Sequence, residues 1–373
     1  MPAVKKTPAQ PFKHWFDAAR YKQIAKELAA IEPRFDQKKF LRLTLNGLDQ
    51  RELMDRLRQI AIAAEAALPG TYRDKLAVLC LATPRIKHGF VTVSFGDFVA
   101  RHGLDDFEHS LEALKYLTPF GSAEFAVRPF IQRDPARALA ILRTWANDKS
   151  DHVRRLASEG SRPRLPWGAR LTAIVTNPEL TAPILEALKA DPALYVRKSV
   201  ANHLNDIAKD HPEWVLDRVA SWDHTNAGTA WIIRHALRTL VKKGHPRALA
   251  FFGVDSAAAR HVAVLRFTIA PAKINLGGSV QLTAELSSKT KKELPLVIDY
   301  VVHYAKASGA TSAKVFKWTE ARLRPGQSLT LTKRQTIRDF TTRKHHAGHH
   351  RVELQVNGQR IAETSFQLII KRK

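Results

Sequence analysis

The chain has 373 residues, of which 45% are hydrophobic, and this is enough for two or three domains with a buried core. Its single cysteine excludes a disulfide framework and a thiolate metal cluster, and the lack of any apolar run of roughly 18 residues excludes a transmembrane helix. The net charge of +25 predicts a polyanionic partner, with nucleic acid as the first candidate and an anionic membrane surface as the second.

Helical periodicity dominates the chain before residue 260. Apolar residues recur at i, i+3, i+4 and i+7 in the segments 21–33, 51–68 and 107–118. Four prolines then follow at spacings of 43, 34 and 34 residues: Pro135, Pro178, Pro212 and Pro246. Each of the first three precedes two amphipathic runs, the second of which begins with basic residues. This pattern predicts two-helix repeats of HEAT or armadillo size, and therefore an α-solenoid over residues 1–260.

After residue 260 the periodicity changes to two. Seven candidate strands cover 261–269, 279–288, 294–305, 314–323, 328–337, 350–358 and 363–371. Turn signals separate them, among them Gly277-Gly278, Pro325-Gly326 and Asn357-Gly358. Seven short strands in this length predict an immunoglobulin-like β-sandwich over residues 261–373. The fold class is therefore mainly α, a HEAT-like solenoid followed by a small all-β sandwich.

The stretch "RRLASEGSRPRLPW" places an acid where it is unexpected. A helix is predicted to run through Glu159 and to stop at Gly160 as a left-handed cap. Glu159 then lies at the negative end of the helix dipole, where an acid is mildly unfavourable. Four arginines surround it: Arg154, Arg155, Arg162 and Arg164. The simple alternative is an i,i+4 ion pair between Arg155 and Glu159.

Four segments together resemble a known family. They are 121–131, 152–167, 195–215 and 231–249. Over nearly its whole length the chain resembles the DNA alkylation-repair glycosylases of the AlkC/AlkD superfamily, and more closely AlkC, one subgroup of which carries an Ig-like domain. The resemblance implies monofunctional hydrolysis of the N-glycosidic bond of cationic bases such as 3-methyladenine and 3-methylcytosine. It also implies that no metal ion or cofactor is needed and that the base is not flipped.

The resemblance implies three catalytic residues, Glu159, Glu124 and Trp167. A fixed carboxylate would stabilise positive charge that develops on the deoxyribose, and it could orient water. Glu124 has a structural alternative, because an acid in a first helical turn suits the dipole. Trp167 follows two prolines on a loop and could instead be a core residue. As a catalytic residue it would press on the sugar or on the cationic base.

Basic residues on the second helices predict contacts with DNA phosphates, which position a duplex without reading its sequence. The candidates are Arg155, Arg162, Arg164, Arg197, Lys198, Arg234 and Arg238, with Phe125, Asn202 and Trp231 as further groove residues. Arg154, Arg197 and Arg234 occupy similar positions in successive repeats, so ion pairs within the solenoid are the alternative. Asp206 is predicted to be a surface residue rather than a further catalytic acid.

The segment "RKHHAGHH" carries four histidines but is predicted to be a turn and not a metal site. Residues 262–373 hold 20 Lys and Arg against 7 Asp and Glu, so this domain is predicted to touch DNA. The clamp candidates are Arg343, Lys344, His346 and His349.

Charge and repeat period predict a protein that binds nucleic acid, and the resemblance implies a DNA glycosylase whose partner is double-stranded DNA with alkylated bases. We expect it to be cytoplasmic and monomeric. The N-terminus lacks the apolar segment of a signal peptide. Two alternatives remain. One is a DNA-binding or scaffold protein of the same fold without catalysis, and the other is a membrane-surface adaptor that uses the basic sandwich.

Overall fold

The structure, a computed structural model, describes residues 11–340 and 344–370. Helices occupy the chain up to residue 261, and strands follow from residue 262. This order confirms the predicted fold class, a helical repeat region followed by an immunoglobulin-like sandwich. None of the helices among the described residues combines the length and the apolar character that a membrane span needs.

The α-helices account for all three periodic segments of the N-terminal region. They are α1 (Ala18–Ile31), α2 (Gln37–Leu45), α3 (Leu53–Ala67), α4 (Tyr72–Ile86), α5 (Gly89–His102), α6 (Phe107–Leu117), α7 (Arg128–Arg133), α8 (Pro135–Trp145), α9 (Asp151–Gly160), α10 (Thr172–Thr176), α11 (Ala182–Leu188), α12 (Leu194–Ile207), α13 (Pro212–Ala220), α14 (Ala227–Ala236), α15 (Arg238–Lys242) and α16 (Pro246–Ala250). Short 3-10 helices lie at Phe12–Trp15, Leu48–Gln50, Pro178–Thr181 and Ser256–His261.

The four repeat prolines each begin a helical segment. Pro135, Pro212 and Pro246 are the first residues of α8, α13 and α16, and Pro178 begins the 3-10 helix before α11. Proline suits this position because the first amide of a helix has no acceptor in the helix and the ring fixes a helical φ. The predicted starts of the repeats are therefore confirmed.

The second helices of successive repeats form one packed row. Helix α9 packs against α12, and α12 packs against α14. The last predicted second helix, residues 230–243, is divided at Leu237 into α14 and α15. This stacking brings residues about 40 positions apart in sequence into contact, which is the usual way in which repeats bury their apolar faces.

Gly160 is the last residue of α9 and not the left-handed cap that the sequence predicts. The next residue, Ser161, has a φ of −92° and is also outside the left-handed region. A Cβ at Gly160 would lie 2.4 Å from Cγ1 of Val127, so glycine permits a close approach to the segment before α7. The predicted helix end is right, but the predicted reason for the glycine is wrong.

The chain divides into two compact units. The first comprises the residues up to His211 together with Ser221–Ala236, and the second comprises Pro212–Ala220 and the chain from Leu237 onward. In the second unit Gln355 donates a hydrogen bond of 2.9 Å to the carbonyl of Lys242, so the last helices pack with the strands. The predicted domain division at residue 260 stays a prediction.

All seven predicted strands are present in the described residues, together with one short strand that the pattern missed. They are β1 (Val262–Ala270), β2 (Lys273–Asn275), β3 (Ser279–Ser288), β4 (Leu294–Ala305), β5 (Thr311–Leu323), β6 (Ser328–Thr336), β7 (Gly348–Val356) and β8 (Gln359–Ile369). Strand β2 has three residues, too few for a periodic signal, and it pairs parallel to the end of β8.

The strands form two facing sheets, in the orders β1-β3-β6 and β2-β8-β7-β4-β5. Their inner faces bury Leu286, Leu354 and Phe366, which are at most 2% exposed. Asn357 and Gly358 both have positive φ, as the predicted Asn-Gly hairpin turn between β7 and β8 requires.

Candidate active site

Glu159 is buried near the end of α9, with 6% of its surface exposed. Arg162 donates a hydrogen bond of 2.7 Å from Nη1 to Oε1 of Glu159. Arg155 lies one turn earlier, and its Nη2 is 3.5 Å from the same oxygen. The other oxygen, Oε2, accepts no hydrogen bond among the described residues. Both arginines therefore approach the same oxygen of Glu159 most closely, and the second oxygen is open in the sense that it has no hydrogen-bond donor.

Glu124 lies in the turn that precedes α7 and is brought to Glu159 by the same arginine. Nη1 of Arg155 donates to Oε2 of Glu124 and, at 2.6 Å, to the hydroxyl of Ser122. The Ser122 hydroxyl donates to the same carboxylate oxygen. Oε1 of Glu124 accepts no hydrogen bond in the described part of the chain. The two predicted catalytic acids therefore share Arg155, and each keeps one oxygen open.

The carboxylates of Glu124 and Glu159 stabilise the charged form of the Arg155 guanidinium. Burial by itself would lower the pKa of the Arg155 guanidinium, but the carboxylates of Glu124 and Glu159 raise it above the usual value. The guanidinium also lies 5.0 Å from the centre of the Tyr195 ring, a cation–π contact. Arg155 thus remains a fixed cation between the two acids, and the simple ion pair expected from spacing is only one part of its environment.

Arg162 connects Glu159 to a third acid, Asp206 on α12. Nε and Nη2 of Arg162 lie 2.9 and 2.7 Å from Oδ2 of Asp206, and Nζ of Lys209 lies 2.8 Å from Oδ1. Asp206 is 2% exposed, so the prediction that it is a surface residue is wrong. A signal was present, because Asp206 lies three residues after His203 on the buried face of its helix.

Arg128 on α7 anchors the loop that follows Glu159. Its guanidinium, 1% exposed, donates to the carbonyls of Gly160, Arg162 and Ala169 at 2.9, 2.8 and 2.8 Å. Burial lowers the pKa of Arg128 to about 10, and the cation of Arg162 acts in the same direction. The loop that carries Trp167 is therefore wrapped around a buried side chain, which sequence reasoning missed.

Trp167 projects from this loop into solvent. It is 68% exposed and has a φ of +65°, in the left-handed region that tryptophan rarely adopts. The alternative of a core residue therefore does not describe it. A strained, exposed aromatic on an anchored loop is typical of a functional position.

A cavity of about 220 Å³ lies beside Glu124. Its wall includes Phe125, which is half-buried, together with Ser122, His152 and Tyr195. The volume is that of a small group such as a sugar or a single base. Glu124 and Phe125 are thus brought together at one opening, and Glu159 is joined to it through Arg155.

Arg197, a predicted phosphate contact, and Arg154, its counterpart in the preceding repeat, both bind backbone carbonyls within the solenoid. Nη1 of Arg154 binds the carbonyls of Asp148 and Lys149, and Nη1 of Arg197 binds those of Asp191 and Pro192, which are the same relative positions. These are contacts within the solenoid, the alternative that the sequence left open for both arginines. The prediction that Arg197 contacts DNA stays a prediction.

The other predicted groove residues are placed as follows. Arg164 forms a bidentate pair with Asp210, at 2.8 and 2.6 Å. Lys198 and Arg234 are exposed, and Asn202 and Arg238 are half-buried. Trp231 is half-buried and stacks on the His235 ring, with 3.6 Å between ring centres. The contacts of these groove residues with DNA stay a prediction.

In the second unit, the histidine segment divides between buried and exposed positions. Lys344 and His349 are exposed and His346 is half-buried, whereas Arg343 lies outside the described residues. His350 is buried and stacks on Phe366 with 5.1 Å between ring centres. A side chain of this kind supports the sandwich core, and the exposed members remain the predicted clamp.

His203 predicts how the stability of this region depends on pH. Its ring is fully buried against the carbonyl of Ser158, and burial, followed by the charge of Arg162, lowers its pKa from 6.5 to about 3. Below pH 6.5 the unfolded chain binds a proton that the folded protein does not. The free energy of unfolding should therefore fall by about 2 kcal/mol between pH 7.5 and pH 5 from this group alone.

Urea unfolding of the wild type and of His203→Asn, at pH 7.5, 6.5, 5.5 and 5.0, checks this expectation. The variant lacks the titrating ring, so its free energy of unfolding should depend less on pH by about 2 kcal/mol over the acid range. Equal slopes for the two proteins would show that His203 is not the group responsible.

Comparisons with known proteins agree with this architecture. Residues 101–240 match the family "DNA alkylation repair enzyme", and residues 263–370 match the family "Uncharacterised protein YhaZ, C-terminal Ig-like domain". The chain is 38% identical to YhaZ of Bacillus subtilis (strain 168) over 347 residues, which are 93% of this chain and 96% of YhaZ.

Among solved structures, the chain is similar to the Pseudomonas fluorescens alkylpurine DNA glycosylase AlkC, solved bound to DNA containing an abasic-site analogue. The identity is 46% and the TM-score is 0.93, over 96% of this chain and all of that one. The resemblance inferred from the sequence is confirmed. The chain therefore belongs to the DNA alkylation repair enzyme family, within which it is similar to AlkC.

Proposed function

We propose that the protein is a monofunctional DNA glycosylase of base excision repair, which hydrolyses the N-glycosidic bond of cationic alkylated bases in duplex DNA. The observation that carries this proposal is the pair of acids, Glu124 and Glu159, which share Arg155 and each keep one open oxygen among the described residues. The likeness to AlkC supports both the activity and DNA as the partner. We propose 3-methylcytosine and 3-methyladenine as substrates, with no metal ion or cofactor.

The chemistry follows from where positive charge moves. An alkylated base is cationic and leaves as a neutral molecule, so it needs no acid to protonate it. As the bond breaks, charge passes to the deoxyribose, where a fixed carboxylate stabilises it. One open oxygen, on Glu159 or Glu124, takes this position. The other carboxylate orients the attacking water and accepts its proton as the bond between the water oxygen and C1′ of the sugar forms. In this proposal the acids act on the sugar and not on the base, so the reaction needs no flipping of the base.

Contacts with phosphates hold the duplex against this site. We assign them to Arg164, Arg197, Lys198, Arg234 and Arg238, with Phe125, Asn202 and Trp231 beside the bases and with Arg343, Lys344, His346 and His349 as a clamp. Arg155 and Arg162, which the sequence also suggested as phosphate contacts, are held between carboxylates and support the acids instead. The strong positive charge of residues 262–373, with 20 Lys and Arg against 7 Asp and Glu, supports the clamp. In this proposal the protein acts as a monomer in the cytoplasm, without a membrane partner.

Trp167 offers a test of the role of the loop. Trp167→Ala should slow base release by about tenfold, because one cation–π contact with the lesion is worth roughly 1 to 2 kcal/mol. Since the side chain is 68% exposed, the free energy of unfolding should change by less than about 0.5 kcal/mol. Leu81→Ala, which removes a side chain at a position 58% exposed, is the matched control and should leave release unchanged. Equal release by both variants would exclude Trp167 from the reaction.

The experiment that tests the function is base release by the wild-type protein from duplex oligonucleotides with a single 3-methylcytosine or 3-methyladenine. Alkali reveals the abasic sites, and binding to the same duplexes is measured in parallel at two salt concentrations. Release from either duplex, above that of an undamaged duplex, supports the proposal. Salt-sensitive binding without release from either would overturn it and favour a non-catalytic DNA-binding protein.

A further inference from the structure

Asp206 occupies a defined edge of the Arg162 guanidinium. Nε and Nη2 of Arg162 both reach Oδ2 of Asp206, at 2.9 and 2.7 Å, and this leaves Nη1 to bind Oε1 of Glu159 at 2.7 Å. The side chains of Arg162 and Asp206 are 8% and 3% exposed. Arg162 therefore bridges two carboxylates. Its Nε–Nη2 edge binds Asp206, and its Nη1 binds Glu159.

This division of the guanidinium matters because arginine prefers to bind a carboxylate through two parallel hydrogen bonds. Arg162 is three residues after Glu159 and already contacts it at 2.7 Å, so a guanidinium released from Asp206 is expected to turn its Nε–Nη2 edge to both oxygens of that acid. A bidentate pair of this kind would cover Oε2, the oxygen that accepts no hydrogen bond among the described residues. Asp206 occupies the edge that the bidentate pair would need.

We infer that Asp206 is a positioning residue that acts through Arg162 to keep Oε2 of Glu159 available for the reaction. Its carboxylate also balances part of the charge of Arg162, so that this cation does not cancel the charge of Glu159. Lys209 contacts the other oxygen of Asp206 at 2.8 Å and fixes the acid from the opposite side. The inference rests on the proposed function, in which Glu159 takes part in the chemistry.

The test is single-turnover release of 3-methylcytosine by Asp206→Asn and Asp206→Glu, with the affinity for duplex DNA containing an abasic-site analogue measured beside it. Asp206→Asn should slow release by about 10-fold to 100-fold, the size expected when a reacting group is displaced by about 1 Å. Affinity for the abasic duplex should stay within about threefold, because Asp206 acts on the reaction and not on binding. Asp206→Glu, which keeps the charge, should recover part of the rate.

Asp191→Asn is the control for simple loss of stability. Asp191 is also 3% exposed and binds Arg154 through both oxygens, at 2.6 and 3.1 Å, but it does not contact Arg162. It should lower stability on a similar scale and leave the release rate per folded molecule nearly unchanged. If Asp206→Asn and Asp191→Asn slow release equally, the inference is overturned.

A double-mutant cycle tests the route through Arg162. Arg162→Lys removes the two-edged guanidinium, so adding Asp206→Asn should slow release no further. Independent, multiplying losses would show that Asp206 does not act through Arg162. No release by the wild-type protein from any lesion would instead be a failure of the proposed function, which separates the two outcomes.

Discussion

Glu159→Gln should reduce base release from duplex DNA with 3-methylcytosine by about 100-fold to 1,000-fold, the usual loss when one preorganised electrostatic group is removed. The amide keeps the shape of the side chain and an oxygen for the Nη1 donor of Arg162. It removes the negative charge that stabilises the sugar cation. The affinity for the same duplex should not fall, because a carboxylate repels phosphates and makes no favourable contact with them.

The measurement is the single-turnover rate of abasic-site formation, with binding followed separately. Glu108→Gln is the control, since Glu108 is an exposed acid paired with Arg137 on the neighbouring helix and should be silent. Glu124→Gln, assayed in parallel, reports on the second acid of the pair. Wild-type release by Glu159→Gln would remove Glu159 from the mechanism, even if the protein proves to be a glycosylase.

Arg128→Met is expected to have the largest effect on stability. It leaves the carbonyls of Gly160, Arg162 and Ala169 without the buried donors that they now have. The carbonyls of Gly160 and Arg162 are buried, and each unsatisfied buried acceptor costs roughly 1 to 3 kcal/mol, so the free energy of unfolding should fall by about 3 kcal/mol or more. The loop with Trp167 should loosen as well, and release per folded molecule should drop with it.

Arg133→Met on the same helix is the matched control. Arg133 is half-exposed and pairs at 2.8 Å with Asp105, which is almost fully exposed, so its loss should change the free energy of unfolding by at most about 1 kcal/mol. Urea unfolding of both variants gives the comparison. Similar small losses would show that Arg128 does not support the loop in the way the contacts indicate.

The sequence alone was sufficient for the architecture, because its signals are local. Alternation with period two identified every long strand of the sandwich, and Asn357-Gly358 marked a turn whose positive φ both residues tolerate. Pro135 and Pro212 marked helix starts for an equally local reason, the missing amide hydrogen. Strand β2 was not predicted, because three residues are too few to show an alternation of apolar and polar side chains.

The sequence also named Glu159 and Glu124, but only through the resemblance to a family. The sequence could not predict that the two acids share Arg155. Glu124 and Arg155 are 31 residues apart in the chain, and only the packing of the helices brings them into contact. The same limit applies to Gly160, whose role depends on the closeness of Val127 and not on its own φ.

Which arginines face solvent and which are internal was decided by the tertiary structure. Arg162 and Asp206 are 44 residues apart, and stacking of α9 on α12 makes them partners. Arg128 and the carbonyl of Ala169 are 41 apart. The residues next to an arginine in the sequence do not show whether its guanidinium will bind a carboxylate, a carbonyl or water. Local sequence therefore determined the elements and the excess of charge, whereas repeat stacking determined where each charge lies and which carboxylate oxygens stay open.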